Sequence, residues 1–288
     1  MSYDYDTLTN DLENLSQTYP FLRTFSAGNS LMGKRIPVTV IGDGEKKLFL
    51  SGAHHGLEYL TSAFLTQFMN AYCGHFVAGN KLFGYNVREL FHKVTLYVMP
   101  MVNPDGVDIA IHGLDITNPY HRNLISMVGI HSFQQVWQAN ARGVDINHNY
   151  NADWQMTVEK PAPTKYAGEY AESEPETHAV TSLVREIGFD MLLAFHSQGG
   201  EIYYDFDGLT AHRSEEIAQR MAEESGYIAA KPTGTAAFGG CKDWFIKEFG
   251  REGFTVEIGH GKNPLPLHQL DEVYEENAKL VLCAMEEI

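Results

Sequence analysis

The stretch Leu48-Phe49-Leu50-Ser51-Gly52-Ala53-His54-His55-Gly56-Leu57-Glu58 constrains this chain more than any other. Lys47–Ser51 has the apolar run of a buried strand. Gly52 and Gly56 bracket a tight turn, because glycine reaches backbone angles that other residues avoid. From Leu57 through Phe64, Leu65 and Phe68 the apolar spacing becomes helical. Strand, glycine turn and helix make the unit of an α/β fold, and open α/β sheets bind ligands at the carboxyl ends of their strands. His55 and Glu58 stand at such an end, three residues apart at a helix start, where an imidazole and a carboxylate can converge on one point. These donors suit zinc, which needs a third protein ligand and keeps a fourth position for water. Alone, His-x-x-Glu is common and weak. His54 competes with His55, but no carboxylate follows it at that spacing.

Taken in order, the chain alternates helix and strand. Tyr5–Thr18 reads as an amphipathic helix with Leu8, Leu12 and Leu15 on one side. Phe21–Ser26 and Ile36–Ile41 read as strands, Lys47–Ser51 as the third, and the helix after Glu58 runs to about Phe76. Val94–Met99 is a buried strand. Asn103-Pro104-Asp105-Gly106 has turn chemistry. Ile111–Ser132 is irregular, Gln134–Asn140 is helical, and 139–149 and 152–170 are loops. Pro175–Gly188 is a helix with Ser173 as N-cap and Glu176 in capping-box position. Asp190–Phe195 is an apolar strand, Arg213–Glu224 and Gly239–Phe249 are helices, Gly253–Ile258 is a strand and Leu270–Glu287 a closing helix. With no repeat or linker to divide it, the chain reads as one domain, 1–288, of the α/β class with a sheet mostly parallel in its middle.

Charge excludes some partners. Against 21 basic residues stand 37 acidic ones, a net charge of −16, which argues against nucleic acid or an anionic membrane surface. No stretch approaches the length of a membrane span. Met1–Tyr19 is polar and acidic, unlike an export signal. Cys73, Cys241 and Cys283 are scattered and odd in number, so no disulfide framework is expected. The expected location is the cytoplasm. Nothing specifies an oligomeric state.

His196 is the best third zinc ligand: like His55 it follows an apolar strand, and small residues after it leave room. A strand-end histidine is more often only hydrogen-bonded, but two histidines and a glutamate form a recurrent catalytic zinc set. Glu257 interrupts an apolar strand, where a charge costs free energy unless it is paired or used. It is either an edge glutamate facing water or the general base that takes a proton from the attacking water. Arg142 offers a fixed positive charge for an oxyanion, or is an ordinary loop arginine paired with a surface acid. Asp145 is placed to hydrogen-bond a ligand imidazole and hold its tautomer. Lys242, beside a glycine pair, is a candidate for a substrate carboxylate, although an exposed helix lysine is the commoner explanation.

At this point the sequence resembles the zinc metallocarboxypeptidases (peptidase family M14). The matching pieces are 52–58, Asn103-Pro104-Asp105-Gly106, Gly143-Val144-Asp145-Ile146-Asn147, Phe195-His196-Ser197 and Phe254-Thr255-Val256-Glu257, in family order from Lys47 to Ile258. The resemblance implies a single-domain α/β/α sandwich with a mixed, centrally parallel, twisted sheet. It also implies one zinc ion on His55, Glu58 and His196, with Glu257 as general base and Arg142, in preference to Arg122, as the carbonyl-polarising arginine. Digestive members carry Asn-Arg after Val-Asp-x, where this chain has Asn147-His148. Loss of that bidentate cation departs from ordinary carboxypeptidase specificity. The usual substrate-capping tyrosine has no clear match.

A closer resemblance is to the bacterial γ-D-glutamyl-meso-diaminopimelate peptidase I subgroup. It is carried by Ala-Arg-Gly-Val-Asp, Ala152-Asp153-Trp154, His-x-Gln-Gly, Gly239–Ile246 and Gly261–Leu267. It implies hydrolysis of γ-D-glutamyl–diaminopimelate in peptidoglycan-derived peptides. The residues agree with a polar, multiply charged muropeptide: Asn147, His148 and Lys242 are candidate contacts, with His148 either assisting or simply capping the loop. Some members carry cell-wall-binding repeats and this chain shows none, which points to imported muropeptides. The alternatives are a metallocarboxypeptidase or a small N-acyl amino acid deacylase on the same scaffold, and, from another class, a non-catalytic muropeptide-binding module.

Overall fold

The computed structural model describes residues 2–288. Helix α1 (Tyr5–Thr18) is capped by the Asp4 carboxylate, which accepts from Thr7 N at 2.9 Å, and it buries Leu8, Leu12 and Leu15 as its spacing predicts. Three strands follow: β1 (Arg23–Asn29), β2 (Arg35–Ile41) and β3 (Lys46–Ser51). Helix α2 (Leu60–Ala78) ends on Gly79 in the left-handed region, a regular helix stop. The minor hairpin β4 (Lys81–Leu82) and β5 (Tyr85–Asn86) leads to α3 (Val87–Lys93) and β6 (Val94–Met99). Helices α4 (Pro104–His112), α5 (His121–Met127), α6 (Phe133–Val136) and α7 (Pro175–Ile187) carry the chain to β7 (Met191–His196) and β8 (Glu201–Tyr203). Then come α8 (Ser214–Ser225), β9 (Ile228–Ala230), α9 (Cys241–Phe249), β10 (Glu252–Glu257) and α10 (Leu270–Glu287).

Eight strands form one mixed sheet in the order β1-β2-β6-β3-β7-β10-β8-β9. The middle four, β6, β3, β7 and β10, are parallel to one another, and antiparallel partners flank them at β2 and β8. Strand alternation divides the core in two. Leu48, Leu50, Leu193 and Phe195 pack on one face with residues of α1, α2, α8 and α10. Phe49, Leu192 and Ala194 pack on the other with residues of α7 and α9. The α/β sandwich and centrally parallel sheet expected from the sequence are thus present.

Some boundaries differ from expectation. Asn103–Gly106 is a helix start rather than a free turn: Asn103 is the N-cap and Pro104 occupies the first turn, where its missing N–H costs nothing. The irregular stretch after Ile111 contains α5. The N-cap of α7 is Glu174, not Ser173, whose hydroxyl donates to the Glu174 carboxylate at 2.7 Å. Among the described residues no helix is long and apolar enough to cross a membrane.

Candidate metal centre and its pocket

Three neighbouring parallel strands deliver the site at their carboxyl ends. His196 closes β7, and Glu257, the last residue of β10, is its register partner. Strand β3 ends at Ser51, and the following turn is anchored to the turn after β6: Val102 N donates to Gly52 O and Asn103 N to Ala53 O, each at 3.0 Å. Asn103 Oδ1 accepts from Gly106 N (2.9 Å), while Nδ2 donates to His54 O (3.0 Å) and Ala139 O (3.2 Å). One side chain thus ties α4, the histidine turn and the 139–149 loop together. Gly56 has no room for a Cβ, which would press on the backbone carbonyls of Gly106 and Trp137. Crowding, rather than an unusual φ, requires glycine there.

The expected ligands converge. His55 Nδ1 lies 2.8 Å from Glu58 Oε1, His196 Nδ1 lies 3.0 Å from Glu58 Oε2, and the two Nδ1 atoms are 3.3 Å apart. One donor atom from each of the three residues falls within 4.8 Å of the others. His55 Nε2 donates to Asp145 Oδ1 at 3.1 Å, which in the neutral ring leaves the Nδ1 lone pair facing the cluster. Asp145 is itself held by Lys165 N, which donates to Oδ2 at 2.8 Å. Asp145 is thus fixed on one side and bonded to the His55 ring on the other.

Electrostatics fit a cation at this point. Burial opposes charge on Glu58, but His55 and His196 outweigh it and bring the carboxyl down to about 2. Burial also opposes a charged His55, yet the Glu58 and Asp145 carboxylates raise its pKa well above the ordinary value. Asp145 is lowered against burial by His55 and then His148. Two ionised carboxylates around one imidazole call for positive charge, and two nitrogens with one carboxylate oxygen suit zinc. His54, the local competitor, is occupied otherwise: Nε2 lies 3.0 Å from the Tyr150 hydroxyl, and its ring stacks on His196 at 5.2 Å.

Glu257 lies beside this cluster, half-buried. Desolvation, then the charge of Glu58, push its carboxyl well above the ordinary range. A cavity of about 130 Å³ joins His55, His196 and Glu257 to Asn147, His148, Tyr203, Phe238 and Thr255. Asn147 Oδ1 accepts from Cys241 N at 3.1 Å, and His148 Nδ1 is buried without a partner.

Two expected residues stand elsewhere. Arg142 grips the buried Glu174 carboxylate through Nε (2.8 Å) and Nη2 (2.7 Å) and lines a separate cavity with Tyr120 and Tyr166. It is not among the residues lining the metal pocket, so its reading as the oxyanion arginine is corrected. Lys242 is neither an exposed helix lysine nor free for a substrate carboxylate. It is buried, with Nζ donating to the Asp205 carbonyl and paired with the Asp243 carboxylate, and α9 turns it into the protein.

Sequence reasoning missed Tyr203, Thr255, Phe238 and Asn263. Asn263 Nδ2 donates to Ser197 O (2.6 Å) and lies 3.4 Å from Glu58 Oε1, bracing the ligand glutamate. Thr255 was readable in principle, since it shares a strand face with Glu257. Tyr203 lies on a three-residue strand, too short for a periodic signal.

An α/β sandwich with two histidines and a glutamate converging at its strand ends, and a second glutamate beside them, defines a zinc-dependent peptidase. The profile of the zinc carboxypeptidase family matches residues 8–280, and the chain belongs to that family. Gamma-D-glutamyl-L-diamino acid endopeptidase 1 of Lysinibacillus sphaericus is 35% identical over 291 residues, covering 99% of this chain and 72% of that protein. Bovine thrombin-activatable fibrinolysis inhibitor, solved with a tick carboxypeptidase inhibitor, superposes with a TM-score of 0.78 at 18% identity, covering 100% of this chain and 97% of that one. Murein-tripeptide amidase of Escherichia coli O157 gives a TM-score of 0.60 at 21% identity, covering 90% and 91%. The chain is a zinc metallopeptidase, a hydrolase of peptide bonds.

Proposed function

We propose that the chain hydrolyses the amide bond between γ-D-glutamate and a diamino acid, such as diaminopimelate, in peptidoglycan-derived peptides. The observation that carries this reading is the convergence of His55, Glu58 and His196 beside Glu257, in a chain 35% identical over almost its full length to an endopeptidase of that specificity. We read the chain as one catalytic domain, which the family match over 8–280 and the single eight-stranded sheet support. We also read it as cytoplasmic, in keeping with its three buried free cysteines.

His55, Glu58 and His196 would hold the zinc, which when bound supplies a Lewis acid that polarises a carbonyl and acidifies water. Asp145 holds the His55 ring so that Nδ1 faces Glu58 and His196. The Glu257 carboxylate takes a proton from the attacking water and passes it to the departing amine nitrogen. Asn147 and His148, on the pocket wall, contact the peptide, and the unpartnered His148 Nδ1 supports that role. Arg142 and Lys242 take no part.

The test is a tetrapeptide, L-alanyl-γ-D-glutamyl-diaminopimelyl-D-alanine, incubated with zinc-loaded protein and followed by mass spectrometry. The expected products are L-alanyl-D-glutamate and diaminopimelyl-D-alanine. Release of D-alanine alone would mark a carboxypeptidase, and an intact peptide would contradict the reading.

A further inference from the structure

Strand β8 places beside the pocket an acid that this chemistry leaves unused. In the antiparallel pairing of β8 with β10, Glu201 stands opposite Glu257 and Tyr203 opposite Thr255. Residues opposite in such a pair share a face, as do residues two apart along a strand. Tyr203, Thr255 and Glu257 line the metal pocket, so Glu201 stands on the same sheet face, beside them. The Tyr203 hydroxyl hydrogen-bonds to Glu201 Oε2 and orients the carboxylate. Gly199 lies between the two acids: a Cβ there would sit 3.7 Å from Glu201 Oε2 and 3.8 Å from Glu257 Cβ.

Like charges directly opposite across two strands repel. The other acids of the site have cationic or imidazole partners: His55 and His196 for Glu58, His55 for Asp145, Lys242 for Asp243. Among the described residues no lysine, arginine or histidine forms an ion pair with Glu201 or Glu257. Glu257 has its use in proton transfer, and Glu201 has none. An oriented carboxylate without a countercharge, on the sheet face beside a peptide pocket, suits a cation that arrives with the substrate.

We propose that Glu201, oriented by Tyr203, is a specificity-determining residue that binds the side-chain ammonium of the diamino acid on the leaving side of the scissile amide. This rests on the substrate reading above. The side follows from Glu257: it protonates the departing amine, so the leaving residue lies against β10. Neighbouring strands are about 4.8 Å apart, a span that the side chain of a diamino acid covers.

The experiment compares two substrates with zinc-loaded protein: the tripeptide L-alanyl-γ-D-glutamyl-diaminopimelate, and the same peptide ending in 2-aminopimelate, which lacks only the distal amine. With the parent chain, KM for the diamino peptide should be about 10- to 100-fold lower, the worth of one charged hydrogen-bonded pair. Glu201→Gln should raise KM for the diamino peptide by about that factor, hold kcat within about threefold and leave the monoamino peptide unaffected. Tyr203→Phe, which keeps the ring and removes the orienting hydroxyl, should raise KM in the same direction by less. Equal KM values for the two peptides in the parent would overturn the proposal and leave the substrate reading standing. So would a Glu201→Gln form that loses kcat equally on both, since Glu201 would then act through Glu257. Cleavage of neither peptide by the parent would overturn the substrate reading and this proposal with it.

Discussion

Replacing Glu257 with glutamine removes an ionisable group from the pocket and keeps its shape. If Glu257 moves the proton, Glu257→Gln should lose about 10²- to 10⁴-fold in kcat while binding zinc as the parent does. Turnover of the tetrapeptide and metal content by atomic absorption check this together, and full activity would assign the proton to another group. At the scale of single residues, legibility followed the locality of the signal. His55 and Glu58 share one turn, and His196 and Glu257 break apolar strands, so their environments are written beside them in the chain. Arg142 and Lys242 could not be read that way. Arg142's partner Glu174 and the Asp205 carbonyl that takes Lys242 lie 32 and 37 positions away, and only the folded chain chooses them; the Asp243 beside Lys242 gives no sign by itself that the pair is buried.

Helix α7 braces the loop that carries Asp145. From it, the buried Glu176 accepts from Leu31 N (2.9 Å) and Asn140 Nδ2 (3.2 Å), linking the β1–β2 connection to the 139–149 loop. Burial raises its carboxyl from 4.5 to about 7, and nearby Asp105 adds to the effect against the hydrogen bonds from Leu31 and Asn140. The sign follows from proton binding. Below 4.5 both folded and unfolded chains hold the proton. Between 4.5 and about 7 the folded chain keeps a proton that the unfolded chain releases, so stability falls as pH rises. From pH 4.5 to 8 Glu176 should cost on the order of 3 kcal/mol. Urea unfolding of the parent and Glu176→Gln across that range should give curves that converge or cross as pH rises, the variant gaining relative stability. Parallel curves would contradict it. Elements, too, were legible where periodicity had room. The bounds of α1 were read without error, as 14 residues of amphipathic spacing allow. The three-residue strands β8 and β9 offered no period to read, and α4 was hidden because Asn-Pro-Asp-Gly also spells a turn.

Across the whole molecule, the site depends on strand order. Strands β3, β7 and β10 are separated in the chain by helices and long loops, yet they are neighbours in the sheet and run the same way. Their carboxyl ends therefore meet at one edge, and four side chains from three remote stretches gather there. Apolar strands and helical spacing made the α/β class readable from the sequence. Strand order is settled by tertiary packing, and before the structure it was available only through family resemblance. The zinc cluster is the direct product of that order, so it is the feature to measure. Calorimetric zinc titration of the parent chain and of His196→Ala tests it: one ion per chain is expected in the parent, with affinity weakened by more than about 100-fold in the variant, beyond what losing a merely supporting contact costs. A His196→Ala chain that bound zinc as tightly as its parent would show that β3 and β7 do not share the ion.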